Sequence, residues 1–231
     1  MTREIDAVRF GPVGQADIFL GFVNNGNVKT NMAMSWTRLM MALKHRVTVV
    51  PMFSGPNVSQ PRNDLVEAFL QTGCDHMLFV DSDIEFMPDD VDALLADDKD
   101  IVGAHYLNKY TDIEEPTPVA SIPLGDGKFG RATPENLKQT TGLVEVAGLG
   151  MGFTLIKREV LEDLQVGCLW PFAEVAVTGE ALGEPVDSVD KDTAHLISED
   201  ITFCFRARQR GYLSYLDLDV KVGHHKSTVY R

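Results

Sequence analysis

Cysteine is scarce in this 231-residue sequence. Cys74, Cys168 and Cys204 lie far apart, are odd in number and never form C-x-x-C. That pattern excludes a disulfide framework and a thiolate zinc site, and points to buried free thiols. Long apolar runs are also missing. No stretch reaches the roughly 18 to 20 continuous apolar residues a membrane helix needs. The opening residues, Met1-Thr2-Arg3-Glu4-Ile5-Asp6, hold no apolar run of the signal-peptide kind. A soluble, cytoplasmic protein is the expectation. Positive charge is in short supply: 21 Lys and Arg face 34 Asp and Glu, a formal net charge of −13. A generic nucleic-acid surface would be basic, so bulk nucleic acid is a poor partner. Lys221, Lys226 and Arg231 cluster near the C-terminus and leave a local basic patch open. Internal repeats and low-complexity tracts are absent.

Apolar residues make up 44% of the chain, enough for a full core. The length suits one α/β domain. Ile18-Phe19-Leu20-Gly21-Phe22-Val23 reads as a first strand, closed by the turn-forming Asn24-Asn25-Gly26-Asn27. A helix is predicted over 30–44, with Met34, Leu39, Met40 and Leu43 among its apolar positions. The β-branched Val47-Thr48-Val49-Val50 follows as a strand, and a helix near 62–72 carries Leu65, Val66, Phe69 and Leu70. Met77-Leu78-Phe79-Val80 is apolar throughout, as expected of a strand buried on both faces, and it stops at Asp81-Ser82-Asp83. Pro88-Asp89-Asp90 has the chemistry of a first helical turn. Ile101-Val102-Gly103-Ala104 is a fourth strand. This rhythm implies a mainly parallel central sheet with helices on both sides. The segment 110–141 reads as irregular. Leu143-Val144-Glu145-Val146 and Phe153-Thr154-Leu155-Ile156 are strands around a glycine-rich turn. Residues 171–196 have weak periodicity and suggest a loop that moves. A helix over about 199–210 ends with Gly211 at C′. Leu213-Ser214-Tyr215-Leu216 and Val220-Lys221-Val222 are short terminal strands.

Several groups could carry chemistry. Ligands of open α/β sheets bind at the carboxyl ends of strands. Asp81 and Asp83 stand at such an end, where Mg²⁺ or Mn²⁺ would take their oxygens together with phosphate oxygens. A turn in which one Asp caps the next segment would use the same residues. Ser198-Glu199-Asp200 opens a helix. The acids either favour the first turn or supply a general base. His224-His225 closes the last strand, solvated or as a ligand for Mn²⁺. Gly148-Leu149-Gly150-Met151-Gly152 does not fit G-x-G-x-x-G, since the third glycine comes too early and a strand follows. A tight turn or a close backbone approach to substrate fits better. Arg62 is a surface side chain or a contact to a diphosphate or base. Trp170 and Phe172 belong to the core or stack on a sugar.

In this order the pieces resemble a glycosyltransferase of the GT-A (Rossmann-like) fold, in the family 2-like group that includes small phage- and virus-encoded members. The resemblance runs from Phe19 to His225. It is carried by Pro61-Arg62-Asn63-Asp64-Leu65-Val66, by Leu78-Phe79-Val80-Asp81-Ser82-Asp83-Ile84 and by the stretch from Gly150 to Val160. Ser198-Glu199-Asp200-Ile201-Thr202-Phe203-Cys204-Phe205-Arg206-Ala207, Gly211-Tyr212 and Val222-Gly223-His224 complete it. The resemblance implies a single domain over 1–231. About 16–110 would bind the nucleotide sugar, and about 140–231 the acceptor and the catalytic groups. Asp83 would hold the metal, Mn²⁺ or Mg²⁺. Asp81 would touch the ribose or the metal shell, with Ser82 beside it, and His224 would be a C-terminal ligand, with His225 an open alternative. Asp200 matches the catalytic base and Glu199 its neighbour. Asn24 and Arg62 lie on the donor side, and Gly150, Gly152 and Trp170 on the acceptor side. The implied activity is sugar transfer from a UDP- or GDP-sugar to a hydroxyl of a protein, a glycan or, less favoured, modified DNA, with inversion, in the cytoplasm (the host's, for a phage-encoded member). A nucleotidyltransferase of related fold would place a basic glycine-rich loop where Asn24-Asn25-Gly26-Asn27 stands. A non-catalytic carbohydrate-binding protein would not need Asp83, Asp200 and His224 together.

Overall fold

The computed structural model describes residues 7–12, 16–42, 44–55, 57–108, 117–125, 128–178 and 194–225. In chain order the elements begin with β1 (Val8–Phe10), β2 (Asp17–Asn24), α1 (Thr30–Ala42), β3 (Arg46–Phe53) and α2 (Ser59–Leu70). They continue with β4 (His76–Asp81), β5 (Ile84–Glu85), α3 (Pro88–Ala96), β6 (Ile101–His105), β7 (Ala120–Gly125), β8 (Lys128–Arg131) and α4 (Pro134–Leu137). The last are β9 (Leu143–Val146), β10 (Gly148–Leu149), β11 (Phe153–Lys157), α5 (Arg158–Gly167), β12 (Val175–Thr178), β13 (Ala194–Ile197), α6 (Glu199–Gln209), β14 (Ser214–Lys221) and β15 (Gly223–His224).

An eight-stranded sheet runs β1-β3-β2-β4-β11-β6-β14-β9. The pairs β2–β3, β2–β4 and β6–β14 are parallel, while β11 lies antiparallel to both β4 and β6. Five strands therefore share one direction, and β1, β11 and β9 run against them. Both faces are covered, which explains the unbroken apolar run of β4. Met77 and Phe79 point to a core shared with Leu65 and Phe69 of α2, Val160 and Leu164 of α5 and Phe203 and Ala207 of α6. Leu78 and Val80 point to a second core with Met32 and Leu39 of α1 and Val91 and Leu94 of α3. Among the described residues no helix is long and apolar enough to cross a membrane.

Local rules account for the start of α3 and the end of α6. Asp90 accepts the Met87 N–H at 2.7 Å ahead of Pro88, which closes the start of α3. At the end of α6, Gly211 has φ +92°. There Tyr212 N–H bonds the Ala207 carbonyl (3.1 Å) and Gly211 N–H the Arg208 carbonyl (3.0 Å), which makes a Schellman motif.

Four expectations need correction. The segment 110–141 is ordered where it is described. It holds the β7–β8 pair and α4, whose Thr133 and Asn136 satisfy each other's N–H groups. Within 171–196, Val175–Thr178 and Ala194–Ile197 pair as antiparallel strands, and residues 179–193 lie outside the described set, as do Lys226 and Arg231. The stretch after Ile156, to which the sequence reading assigns no element, is α5, and it follows β11 without a turn. Arg158 makes this junction by bonding the carbonyls of Cys74 (2.6 Å), Thr72 (2.9 Å) and Phe69 (3.2 Å) at the end of α2. The two terminal strands are one, β14, with an irregularity between Asp217 and Lys221. Of the three cysteines, Cys74 and Cys204 are buried and Cys168 is only partly so.

Candidate functional site

The carboxyl ends of β2, β3 and β4 lie side by side. Asn24 ends β2, and its side chain is spent on the turn. Its Oδ1 accepts the Gly26 N–H (3.0 Å) and its Nδ2 donates to the Met52 carbonyl (3.3 Å). Asp81 ends β4, and its N–H donates to the Gly152 carbonyl at 2.9 Å. The Ser82 carbonyl takes the Lys29 N–H at 3.0 Å, tying this turn to the start of α1.

Beyond Ser82 the chain forms β5, which pairs antiparallel with β15 so that Ile84 faces His224 and Glu85 faces Gly223. The His225 N–H reaches back to the Asp83 carbonyl at 2.9 Å. This patch sets His224 Nε2 3.6 Å from Asp83 Oδ1. The other ring nitrogen of His224, Nδ1, lies 2.8 Å from the Leu107 carbonyl, so Nδ1 must carry a proton. Nε2 then either shares a second proton with Asp83 or turns a lone pair toward it. In the second state a nitrogen and a carboxylate oxygen address one point, and a divalent cation fits where the proton would be. His225 is placed differently: its Nε2 bonds Glu85 Oε2 at 2.7 Å, and Asn31 donates to the same oxygen at 2.8 Å. Among the described residues no three His, Cys, Asp or Glu side chains gather as a metal cluster. Asp83 and His224 are a pair, and any cation there would need further oxygens from a ligand.

Asp81 turns elsewhere. Its Oδ1 is 3.4 Å from Nη2 of Arg62, whose Nη1 donates to Glu199 Oε1 at 2.8 Å. Arg62 is 5% exposed and so is no surface side chain. Burial works against its charge, but Asp81, Glu199 and Asp200 outweigh it and raise its pKa above the ordinary value. Burial also pushes the Glu199 carboxyl up; Arg62 pulls it back only in part, and Asp200 adds to the rise. The pair is thus a firmly charged guanidinium against a carboxylate that ionises reluctantly. Asp200 faces its own helix start: Ser198 Oγ donates to its Oδ1, which also accepts the Ile201 N–H at 2.8 Å.

The glycine-rich turn serves the protein itself. A Cβ on Gly150 would meet Tyr106 Oη at 2.5 Å, one on Gly152 would meet it at 2.6 Å, and one on Gly148 would meet Ile201 at 2.5 Å. Phe172 is core, stacked on Phe203 with centroids 4.6 Å apart. Trp170 is 55% exposed on a loop held by Arg206, which donates to the Trp170 (3.0 Å) and Pro171 (2.8 Å) carbonyls. Sequence reasoning missed Tyr106, the Leu107 carbonyl and the Asn31–Glu85–His225 contacts. A tyrosine one residue past a buried strand was the one available signal.

No family model matches this sequence, and no curated protein matches it. Solved structures do. A197 from STIV aligns with 93% of this chain and 97% of its own, at a TM-score of 0.50 and 16% identity. GalNAc-T7, solved with UDP, GalNAc and Mn²⁺, aligns with 92% of this chain at a TM-score of 0.51 and 13% identity. The fold is GT-A-like. The chain spans 43% of the GalNAc-T7 chain, so the likeness concerns the GT-A-like domain and not that whole protein. At these identities the likeness is one of architecture alone.

Proposed function

We propose that this chain is a metal-dependent glycosyltransferase that moves a sugar from a UDP- or GDP-sugar to an acceptor hydroxyl on a protein, a glycan or, less favoured, modified DNA. The observation that carries the proposal is the approach of His224 Nε2 to Asp83 Oδ1, 3.6 Å apart beyond the carboxyl end of β4. The likeness to GalNAc-T7, which was solved with UDP, GalNAc and Mn²⁺, supports it.

Asp83 and His224 would hold Mn²⁺ or Mg²⁺. A cation there would supply Lewis-acid neutralisation of the charge on the leaving nucleoside diphosphate. The remaining work falls to the chain. Residues 16–110 hold the donor, with Asn24 and Ser82 at the strand ends and Asp81 beside Arg62. Residues 140–231 hold the acceptor, beside the exposed Trp170 ring. Asp200 takes the hydroxyl proton as that oxygen attacks the anomeric carbon. The bond to the diphosphate breaks on the opposite face, and the configuration inverts. Glu199, fixed on Arg62, keeps a second carboxylate off the reacting centre. The work is done in the cytoplasm.

The test is a screen of nucleotide sugars with Mn²⁺, first by thermal shift and then by product analysis. A ligand that binds the native state raises its melting temperature. Release of nucleoside diphosphate is the expected result. Release of sugar 1-phosphate would show attack at phosphorus, the chemistry of a nucleotidyltransferase. Binding without turnover of any donor would leave a carbohydrate-binding protein.

A further inference from the structure

Tyr106 belongs to none of the sequence motifs. It follows β6 directly and is 5% exposed. Three contacts fix it. Its hydroxyl oxygen accepts the Gly152 N–H at 2.9 Å. Its backbone carbonyl takes the Val119 N–H at 3.0 Å. Its ring meets the His224 imidazole edge-to-face, with centroids 5.4 Å apart and planes at 87°. Gly150 and Gly152 leave the space the phenol occupies, since a Cβ on either would fall within 2.6 Å of its oxygen. The next residue, Leu107, supplies the carbonyl that receives the His224 Nδ1 proton.

Two consecutive residues therefore hold one imidazole. Leu107 selects the tautomer that leaves Nε2 as the ligand atom. The tautomer alone does not aim that atom, because the ring can still swing about χ2. A nitrogen lone pair lies in the ring plane, so a tilted imidazole misses the cation even with the correct proton. An edge-to-face aromatic contact resists that tilt.

We infer that Tyr106 is a positioning residue for His224, holding the imidazole plane so that Nε2 and Asp83 Oδ1 address the same point. The inference rests on the metal reading of Asp83 and His224. Tyr106 acts through His224: its ring meets the imidazole, while its hydroxyl oxygen accepts from Gly152.

The experiment is calorimetric titration of the full chain with Mn²⁺ alone, for wild type, Tyr106→Phe, Tyr106→Leu, His224→Ala and the Tyr106→Leu/His224→Ala double variant. NMR of the ring nitrogens runs on the metal-free proteins. Tyr106→Phe keeps the ring and should keep most of the Mn²⁺ affinity. Tyr106→Leu should lose roughly 10- to 100-fold, the range for partners that orient a ligand. It should also mix the His224 tautomers. In the double variant the Leu substitution should cost nothing further, because its effect passes through His224. Wild-type affinity in Tyr106→Leu, or the same loss with and without His224, overturns the inference and leaves the metal reading standing. Should Tyr106→Leu fail to fold, Tyr106→Phe decides: a loss as deep as that of His224→Ala would mean the ring contact does not position the ligand. No Mn²⁺ binding by wild type would remove the metal reading, and this inference with it.

Discussion

His224 Nε2 stands 3.6 Å from Asp83 Oδ1, while His225, one residue on, bonds Glu85 at 2.7 Å. The two histidines are neighbours in sequence with different partners. In the presence of a nucleoside diphosphate, Asp83→Asn and His224→Ala should each weaken Mn²⁺ binding by at least tenfold, on the scale of a lost ligand. His225→Ala should change it less, since that ring sits on a different carboxylate. A larger loss in His225→Ala would move the ligand by one residue.

Asp200 and Glu199 divide in the same manner, because adjacent helical residues point about 100° apart. Asp200→Asn should retain donor and metal binding and lose transfer by roughly 10²-fold or more. Glu199→Gln should cost less transfer, because an amide oxygen can still accept from Arg62. Rates of both variants, with donor affinity alongside, make the comparison. Near-parental transfer by Asp200→Asn beside a dead Glu199→Gln would reassign the base.

Gly152→Ala tests the wedge of Tyr106. The new methyl would lie 2.6 Å from the phenol oxygen, which is itself buried. The native state should lose about 1–3 kcal/mol, the usual cost of overpacking. Urea denaturation measures it. Parental stability would mean that the turn has slack.

Asp97 gives the protein an acid-side signature. Burial, and then the charge of Asp217, push its carboxyl from 3.8 up to about 6. Between those values the folded state binds more protons than the unfolded one, so this group's contribution to stability falls as pH rises. Asp97→Asn should therefore stabilise the protein at neutral pH and flatten the slope between about 4 and 6. Melting temperatures across that window check the sign. An unchanged slope would mean that Asp97 titrates normally.

The thiols should separate by burial. Burial pushes the Cys204 thiol up to about 11, so almost no thiolate is present at neutral pH. In native protein Cys168 should alkylate first, and Cys74 and Cys204 only as the chain opens. Mass spectrometry of timed alkylation follows the order.

Much of the fold was legible because its signals are local. The apolar run at Met77–Val80 announced a strand covered on both faces. Pro88 with Asp89 and Asp90 announced a helix start, and Gly211 a helix end. Each rule acts over a few residues, and the structure keeps all three. The candidate site was legible as a set of residue types and not as contacts. Nothing near Asp81 says that its carboxylate meets a buried Arg62, and nothing near Asp83 says that His224 lies across from it. The first meeting depends on how α2 packs over the end of β4, and the second on β15 returning to pair with β5. Strand neighbours far apart in sequence leave no periodic trace, because alternation records which face is buried and not which strand covers the edge. The amino-acid sequence by itself determined β2, β3, β4, β6, α1, α2, α3 and α6, and the acids and histidines near their ends. Only the tertiary structure decided their partners, because both sheet faces must be buried at once, and that condition is met by the chain as a whole.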